Sequence, residues 1–208
     1  MNYKLATSTW DDMEIKAIHE VIESDHYTMG PKVEDYERKF ADFFGANFAV
    51  MTSSGSTANL LAIAALFFSK KHSLNRGDEV IVPAVSWSTT YFPLQQYGLK
   101  LKFVDIDLET LNYDLVELKS AVSNSTRAII TVNLLGNPND FTQINKIIGE
   151  NEIILIEDYC ESLGAQFEKK FTGSFGLMGT FSSFFSHDIS TMKGGMVITD
   201  DEELYHIL

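Results

Sequence analysis

The chain has 208 residues, 45% of them apolar, and its 16 basic and 29 acidic side chains give a formal net charge of −13. This length suffices to bury one sizeable core, so we expect a single domain. The negative charge would repel polyphosphate backbones and anionic lipid, which disfavours nucleic acid and membrane surfaces as partners.

Cysteine content and the N-terminal segment indicate a cytoplasmic protein. Cys160 is the only cysteine, so no intramolecular disulfide can form. Segment 1–12 lacks the basic start and the long apolar run of a signal peptide. The longest apolar run, 60–68, is far shorter than the roughly 20 residues that span a bilayer. A soluble protein in a reducing compartment fits these features.

Two amphipathic helices are predicted near the N-terminus. Apolar residues recur at helical spacing over 11–23, where Asp11 and Asp12 can cap the first turn. A second helix is predicted over 32–44 and should end at Gly45.

Strands and helices are then predicted to alternate. A buried strand over 47–52 leads through SSGSTAN into an apolar run of good helix formers. Further strands are predicted at 79–82, 102–104, 128–131 and 153–156. Helical or turn-rich segments separate them, as expected of parallel strands joined by crossovers. The fold class is therefore α/β, and no repeat or linker marks a domain boundary.

Small polar residues at 53–57 precede the apolar helix. Their hydroxyls and the free N–H groups of a helix start suit a phosphate monoester. On the local sequence alone, an ordinary serine-rich N-cap without a ligand is the favoured alternative.

Two further candidates follow predicted strands. Trp87, in PAVSWSTTY, could stack on a flat ring at the ligand-binding edge of an α/β sheet, or belong to the core. Asp158, in IILIEDYCESLGA, ends a very apolar strand and could pair with a protonated ring nitrogen, or cap a helix. Glu161 should face the same way as Asp158.

The segment GTFSSFFSHDISTMKGGMVITDD combines hydroxyl groups with His187, Asp188 and Lys193 before a Gly-Gly turn and a strand. A lone histidine is more often harmless than catalytic, because imidazole titrates near neutrality in many settings. The polar neighbours of His187 strengthen its candidacy.

Taken in chain order, SSGSTAN, AVSWSTTY, VDID, ETLNYD, IEDYCESLGA and SFFSHDISTMKGGMVITDD resemble one enzyme family. It is the sugar aminotransferase and dehydratase branch (DegT/StrS type) of fold-type I pyridoxal phosphate (PLP) enzymes, and the resemblance covers nearly the whole chain. It implies a three-layer sandwich with a mainly parallel sheet, the large domain of the aspartate aminotransferase fold. Residues 1–208 would form the N-terminal portion of such an enzyme, mostly its cofactor-binding large domain, without the small C-terminal domain.

The same resemblance implies a cofactor site without a metal ligand. Asp158 would keep the pyridine nitrogen protonated, so that the ring can accept electrons. Trp87 would stack on the ring, and Glu161 would help to position it. The phosphate would be bound by Gly55, Ser56 and Ser182.

Aminotransferases of this family carry their cofactor-binding lysine five residues after the serine of the SF motif and six before the acidic residue that precedes Gly-Gly. Counting from Ser182 and from Lys193 leads to His187 instead. A histidine cannot form the covalent bond to the cofactor, so pyridoxamine phosphate (PMP) or PLP would be held noncovalently. This replacement redirects the implied reaction from transamination to dehydration.

The implied substrate is a GDP-linked 4-keto-6-deoxyhexose that loses its C3 hydroxyl, although no residue in this sequence reads the nucleotide. His187 would be the catalytic residue, acting as base and then as acid. Glutamate would be the amino donor that restores PMP, and the family resemblance implies a homodimer whose subunits share active-site residues.

Two residues depart from the family pattern. Asp188 stands where asparagine or histidine is expected, and would favour a protonated His187 if its carboxylate lay close. Lys193 replaces the acidic residue before Gly-Gly, which leaves open an aminotransferase that uses this lysine from a shifted position.

Family members extend well beyond 208 residues, so a catalytically silent remnant that binds cofactor or a partner is an alternative to an active dehydratase. An NAD-linked oxidoreductase is disfavoured because no G-x-G-x-x-G follows a predicted strand.

Overall fold

The first two helices begin and end where the sequence indicates. In a computed structural model, which describes residues 8–149 and 151–208, α1 spans Asp12–Ser24 and α2 spans Pro31–Phe44. The Asp11 carboxylate caps α1 by accepting a hydrogen bond from Met13 N at 2.7 Å. Gly45 ends α2 with a φ of 69°, in the left-handed region that favours glycine. Both predicted helices are confirmed.

Strands and helices alternate through the rest of the described chain. The elements are β1 (Phe48–Thr52), α3 (Gly55–Phe68), β2 (Glu79–Pro83), α4 (Ser88–Gln96), β3 (Lys100–Val104), α5 (Leu115–Ala121), β4 (Thr126–Val132), α6 (Phe141–Ile148), β5 (Ile154–Asp158), β6 (Gln166–Phe167), β7 (Lys170–Phe171), β8 (Met178–Ser182), β9 (Gly195–Thr199) and α7 (Glu202–Ile207). A short 3₁₀ turn, Leu134–Gly136, follows β4. Each predicted strand is present, although β1 is only partly buried. None of the helices in the described ranges is long and apolar enough to cross a membrane.

Seven of these strands form one sheet in the order β1-β9-β8-β5-β4-β2-β3. The five strands from β8 to β3 in this order run parallel, whereas β9 is antiparallel to both of its neighbours. The predicted α/β class with a mainly parallel sheet is therefore confirmed. Because β9 reverses direction, the loop between β8 and β9 lies at the edge where the parallel strands end.

Helices cover both faces of the sheet. Alternate residues of β2 belong to different cores: Val80 and Val82 pack with α3, α4 and α7, whereas Ile81 packs with α5 and α6. The third core joins α2 to β8 and β9 on the same side as α5 and α6, since Phe181 and Ile198 belong to it while Met178 and Val197 face α3. This arrangement is the predicted three-layer sandwich.

At the amino edge of the parallel strands, charged groups tie the end of α3 to the start of α7. The Asp201 carboxylate accepts hydrogen bonds from Lys71 Nζ at 2.6 Å and from His72 Nε2 at 3.2 Å. The hydrogen bond from Lys71 is the main reason why the pKa of Asp201 falls to about 2. Glu203 adds a hydrogen bond from Ser69 Oγ at 2.8 Å. These ionic and hydrogen-bonding contacts therefore connect the end of α3 to the start of α7.

Glu157 lies inside the sandwich, one residue before the end of β5. Its carboxylate accepts hydrogen bonds from the backbone N–H groups of Gly173, Phe175 and Gly176 at 2.6, 2.5 and 2.7 Å. Burial raises the pKa of Glu157, whereas these N–H donors act in the opposite direction. The side chain thus fixes the turn that leads into β8.

Candidate active site

The carboxyl edge of the sheet brings three of the predicted site residues together. Asp158 ends β5 and Ser182 ends β8, and these strands are parallel neighbours. Gly55 starts α3 directly beyond β1. A Cβ atom at Gly55 would lie 2.6 Å from Ser182 Cβ and 2.7 Å from Cys160 Sγ. Only glycine therefore allows α3 to start this close to β8 and to the turn after β5.

The start of α3 is a serine N-cap, as one of the two predictions for this segment proposes. Ser54 Oγ accepts a hydrogen bond from Thr57 N at 3.1 Å, and Thr57 Oγ1 accepts one from Ser54 N at 2.9 Å. Within the described ranges, no protein acceptor is bonded to the N–H groups of Gly55 and Ser56. These groups and the Ser182 hydroxyl form a donor set of the kind that binds an anion at a helix start. Their role toward a phosphate stays a prediction.

The Asp158 carboxylate is buried at the same edge, with 5% of the residue exposed. Its Oδ2 atom accepts hydrogen bonds from Asn59 Nδ2 at 2.8 Å and from Thr90 Oγ1 at 2.7 Å, and its Oδ1 atom accepts one from Cys160 N at 3.2 Å. A turn, not a helix, follows β5, so the helix-capping alternative for Asp158 is wrong. None of the ion pairs in the described structure includes Asp158. A buried anion without a cation suits a positively charged ring N–H.

Trp87 is 68% exposed, so the alternative that it is a core residue is wrong. It directly precedes α4, and the first turn of this helix reaches the buried carboxylate through the Thr90 hydroxyl. The indole is therefore carried at the ligand-binding edge on a segment that is tied to Asp158. Stacking on a cofactor ring stays a prediction.

Glu161 is half-buried in the turn that follows β5. In the described part of the chain, its carboxylate makes no ion pair with a basic side chain. Its assignment to the cofactor depends on the family resemblance alone and stays a prediction.

The loop between β8 and β9 carries His187. Its two ends are joined by a hydrogen bond from Ser183 N to Gly194 O at 2.9 Å, and Ser183 Oγ lies 2.6 Å from Thr191 Oγ1. His187 is half-buried, and its backbone N–H donates to Phe184 O at 2.9 Å. Over the described ranges no hydrogen bond engages the imidazole nitrogens, so they are available to a substrate or cofactor.

Asp188 and Lys193 are both exposed. No ion pair within the described residues joins the Asp188 carboxylate to His187, so the expected effect of Asp188 on the imidazole has no contact to support it. Lys193 donates a backbone hydrogen bond to Thr191 O at 2.8 Å. Lys193 lies within the loop, directly before Gly194 at its closed end. Its proposed covalent role stays a prediction.

Sequence reasoning missed three polar residues around Asp158, namely Asn59, Thr90 and Thr180, each less than 9% exposed. One signal was available: Asn59 interrupts an otherwise apolar helix, and a polar residue in a core helix usually has a buried partner. The partner itself is 99 residues away and could not be read from the sequence.

Comparison with known proteins identifies the family. The model of the DegT/DnrJ/EryC1/StrS aminotransferase family matches residues 8–208. The chain belongs to this family. The resemblance read from the motifs is thereby confirmed.

Dehydratases are among the most similar members. Over all 208 residues, the chain is 67% identical to the GDP-4-keto-6-deoxy-D-mannose 3-dehydratase of Escherichia coli O55:H7. The match covers 54% of that protein. A solved E. coli enzyme of that name with bound hydrated PLP is 68% identical with a TM-score of 0.97, and the match covers 100% of this chain and 53% of the solved one. Another solved structure of such a dehydratase contains a trapped PLP-glutamate geminal diamine. It is 67% identical with a TM-score of 0.97, over 99% of this chain and 53% of the solved one.

These matches confirm the predicted PLP aminotransferase fold and the resemblance to the sugar aminotransferase and dehydratase branch of this family. The chain spans about half the length of the curated relatives it matches. What those relatives bind and convert is therefore a basis for proposals about this chain.

Proposed function

We propose that this chain is the cofactor-binding part of a PMP- and PLP-dependent 3-dehydratase. Its substrate is a nucleotide-linked 4-keto-6-deoxyhexose, GDP-4-keto-6-deoxy-D-mannose, in cytoplasmic deoxysugar and O-antigen biosynthesis. The observation that carries the proposal is His187 in place of the family lysine, in a chain 67% identical to such a dehydratase along its whole length.

The residues at the carboxyl edge fit the cofactor. The unbonded N–H groups of Gly55 and Ser56, together with the Ser56 and Ser182 hydroxyls, would bind its phosphate at the positive end of α3. The Asp158 carboxylate would accept a hydrogen bond from the protonated ring nitrogen. Trp87 would cover one face of the ring, with Glu161 beside it.

When bound as PMP, the cofactor would supply an amine for the 4-keto group and a ring that accepts electrons, which would make loss of the C3 hydroxyl feasible. His187 moves the protons. Its imidazole would take one proton as a general base from the methylene carbon that bears the cofactor amine, hold it, and deliver it as a general acid to the hydroxyl oxygen that leaves C3 as water. An imidazole suits both tasks because it titrates near neutral pH. Since it cannot bind the cofactor covalently, the cofactor is free to exchange.

We further propose that glutamate is the amino donor that restores PMP after each turnover. The support comes from the related dehydratase that holds a trapped PLP-glutamate geminal diamine. Asp158, Trp87 and the α3 start would hold the cofactor during this half of the cycle as well.

A homodimer is part of the proposal. Apolar side chains are exposed on loops around the carboxyl edge, where a second subunit would cover them: Val85, Leu108, Leu135, Phe185, Ile189 and Met192. Exposed apolar groups that cluster around a site are typical of interaction surfaces. A second copy would also complete the enclosure of a site that is open on this side.

The first alternative is that the protein binds the cofactor without turning over a sugar. A sugar aminotransferase that uses Lys193 is the remaining alternative, and the same experiment addresses it.

The test is to incubate the chain with PMP, glutamate and GDP-4-keto-6-deoxy-D-mannose and to identify the sugar product by mass spectrometry and NMR. The proposal predicts a 3,6-dideoxy-4-keto sugar together with released ammonia. Cofactor binding without product would overturn the dehydratase in favour of the silent form. A 4-amino sugar would instead support the aminotransferase.

Borohydride treatment with added PLP gives an independent check. The proposal predicts that no lysine becomes covalently labelled and that the cofactor is removed by dialysis. Reductive labelling of Lys193, located by peptide mapping, would contradict the role assigned to His187. The control is Lys193→Ala, which should leave cofactor binding unchanged.

A further inference from the structure

We infer that Asn59 and Thr180 are positioning residues that orient the Asp158 carboxylate and keep its Oδ1 atom free to accept a hydrogen bond from the ring N–H of the cofactor. The inference rests on the proposed function, because it concerns how that cofactor is held. It assigns a task to two buried polar residues that the proposed chemistry does not otherwise use.

The first step is the direction of the hydrogen bond between Thr180 and Asn59. Thr180 Oγ1 lies 2.5 Å from Asn59 Oδ1 and 3.3 Å from Glu157 O. A hydroxyl has one proton, so it serves the nearer acceptor, the amide oxygen. Thr180 thereby fixes which end of the Asn59 amide faces it, and the NH₂ group must face the other way.

The second step is the contact between that NH₂ group and the carboxylate. Asn59 Nδ2 lies 2.8 Å from Asp158 Oδ2. A flipped amide would place its oxygen against the carboxylate oxygen, two acceptors without a proton between them. The carboxylate and Thr89 O, to which Nδ2 also donates at 3.4 Å, oppose this flip. Thr180 stabilises the same orientation from the other end of the amide, although its own side chain does not contact Asp158.

A second chain of donors meets the same oxygen from the other side. Thr90 Oγ1 lies 2.7 Å from Asp158 Oδ2, and Ser86 Oγ lies 2.7 Å from Thr90 Oγ1. Since an ionised carboxylate can only accept, Thr90 gives its proton to Asp158, and Ser86 donates to Thr90. Both series of hydrogen bonds therefore end at the Oδ2 atom of Asp158.

The two oxygens of Asp158 are consequently unequal. Oδ2 receives two short hydrogen bonds, which use its two lone pairs. Oδ1 receives one longer hydrogen bond, from Cys160 N at 3.2 Å. A lone pair of Oδ1 stays available, and the donors on Oδ2 prevent the carboxylate from rotating to exchange the two oxygens.

Burial makes this arrangement specific. Thr180 is fully buried and Asn59 is 7% exposed, so water cannot replace a lost donor easily. Their elements are α3 and β8, which also carry the proposed phosphate ligands Gly55 and Ser182. The network thus sets the carboxylate relative to the phosphate site.

The test compares Thr180→Val, which keeps the shape and removes the hydroxyl, with Thr180→Ser, which keeps the hydroxyl. Each chain is titrated with PMP labelled with ¹⁵N in the ring, and the affinity and the ¹⁵N chemical shift are measured. Thr180→Val should bind about tenfold more weakly, the equivalent of one lost buried hydrogen bond, and its shift should move toward that of an unprotonated pyridine. Thr180→Ser should match the wild type.

Ser86→Ala serves as a second variant at a less buried position, in case Thr180→Val does not fold as judged by circular dichroism. It removes the donor to Thr90 and should move the ¹⁵N shift in the same direction by a smaller amount. The decisive comparison adds Thr180→Val to Asp158→Asn. If Thr180 acts through Asp158, the valine should cause no further loss of PMP affinity in that background.

The outcomes separate this inference from the proposed function. Wild-type chain that fails to bind PMP would overturn the proposed function, and the inference with it. Normal PMP binding with an unchanged ¹⁵N shift in both Thr180→Val and Ser86→Ala would overturn the inference alone. Additive losses in the double variant would also overturn it, because Thr180 would then act independently of Asp158.

Discussion

Two neighbouring carboxylates at the end of β5 lie in contrasting surroundings. Glu157 faces the turn before β8, where three backbone N–H groups occupy both of its oxygens at 2.5–2.7 Å. Asp158 faces α3 and α4, where side-chain donors occupy one oxygen and leave the other with a single longer hydrogen bond. Both residues are buried, at 0% and 5% exposure.

This difference separates a structural carboxylate from one that can serve a ligand. Both oxygens of Glu157 accept hydrogen bonds from the backbone, so this side chain stabilises the fold and offers no acceptor to a ligand. Asp158 retains a free lone pair at the ligand-binding edge. Burial and charge are therefore poor guides to function by themselves, and the unused hydrogen-bonding capacity is the better one.

The largest effect is expected from a residue that touches neither carboxylate. His187→Ala should lower the dehydration rate by roughly 10³-fold, because general acid–base catalysis contributes about 10²–10⁴. PMP affinity and the thermal unfolding midpoint should stay at wild-type values, since the imidazole makes no hydrogen bond within the described structure. The assay is ammonia release, with Lys193→Ala as the matched loop control. A rate within tenfold of the wild type would contradict the assigned role.

Asp158→Asn tests the carboxylate that keeps a free lone pair. The amide keeps the size of the side chain but cannot accept the charge-assisted hydrogen bond from a ring N–H, so PMP affinity should fall by roughly 100-fold. Fluorescence titration measures it, and the exposed Asp188→Asn is the control with the same charge change. Equal affinities for the two variants would mean that the free lone pair of Asp158 serves no cofactor.

Glu157→Gln tests the carboxylate whose two oxygens are both bonded to backbone N–H groups. The glutamine NH₂ group would oppose backbone N–H donors and leave at least one of them unpaired, which should lower the free energy of unfolding by about 2 kcal/mol. Urea denaturation measures this loss, and the exposed Glu152→Gln provides the control. Affinity for PMP, measured per folded molecule, should not change. A selective loss of affinity would show that Glu157 also belongs to the site.

Asp201→Asn gives the smallest effect and a reference for both carboxylates. Asparagine still caps α7 but loses the ion pair to Lys71, so the loss of stability should be about 0.5–1 kcal/mol at pH 7. The pKa of Asp201 is lowered from 3.8 to about 2, so its contribution is complete above pH 3.8 and is lost as the pH falls through 2. The stability difference between wild type and variant should therefore shrink over this range in urea unfolding curves. A difference that grows below pH 3.8 would have the wrong sign.

Much of the fold could be predicted from periodicity and capping, because these signals are local. Asp11 and Gly45 mark helix ends that the structure reproduces. By contrast, β8 was not among the predicted strands, because its sequence MGTFS contains a glycine and two polar residues. Thr180 is fully buried there, where its hydroxyl has partners in Asn59 of α3 and in the carbonyl of Glu157.

The motif order of the family led to Gly55, Asp158 and Ser182, which the structure brings together at the carboxyl edge, while their roles stay predictions. The supporting residues Asn59 and Thr90 were not predictable, because their partner is distant in sequence. The core alternative for Trp87 and the helix-capping alternative for Asp158 were excluded by exposure and by the turn after β5, which depend on tertiary packing.

The closed ends of the β8–β9 loop have a consequence for how such enzymes diversify. Ser183 and Gly194 are joined by a backbone hydrogen bond that closes the base of the loop. The base therefore does not depend on the side chain at position 187. Lysine or histidine can occupy this tip while the groups on β5, β8 and α3 stay in place. Under the proposed function, a substitution at position 187 would therefore change the chemistry of the site while the groups that hold the cofactor keep their positions.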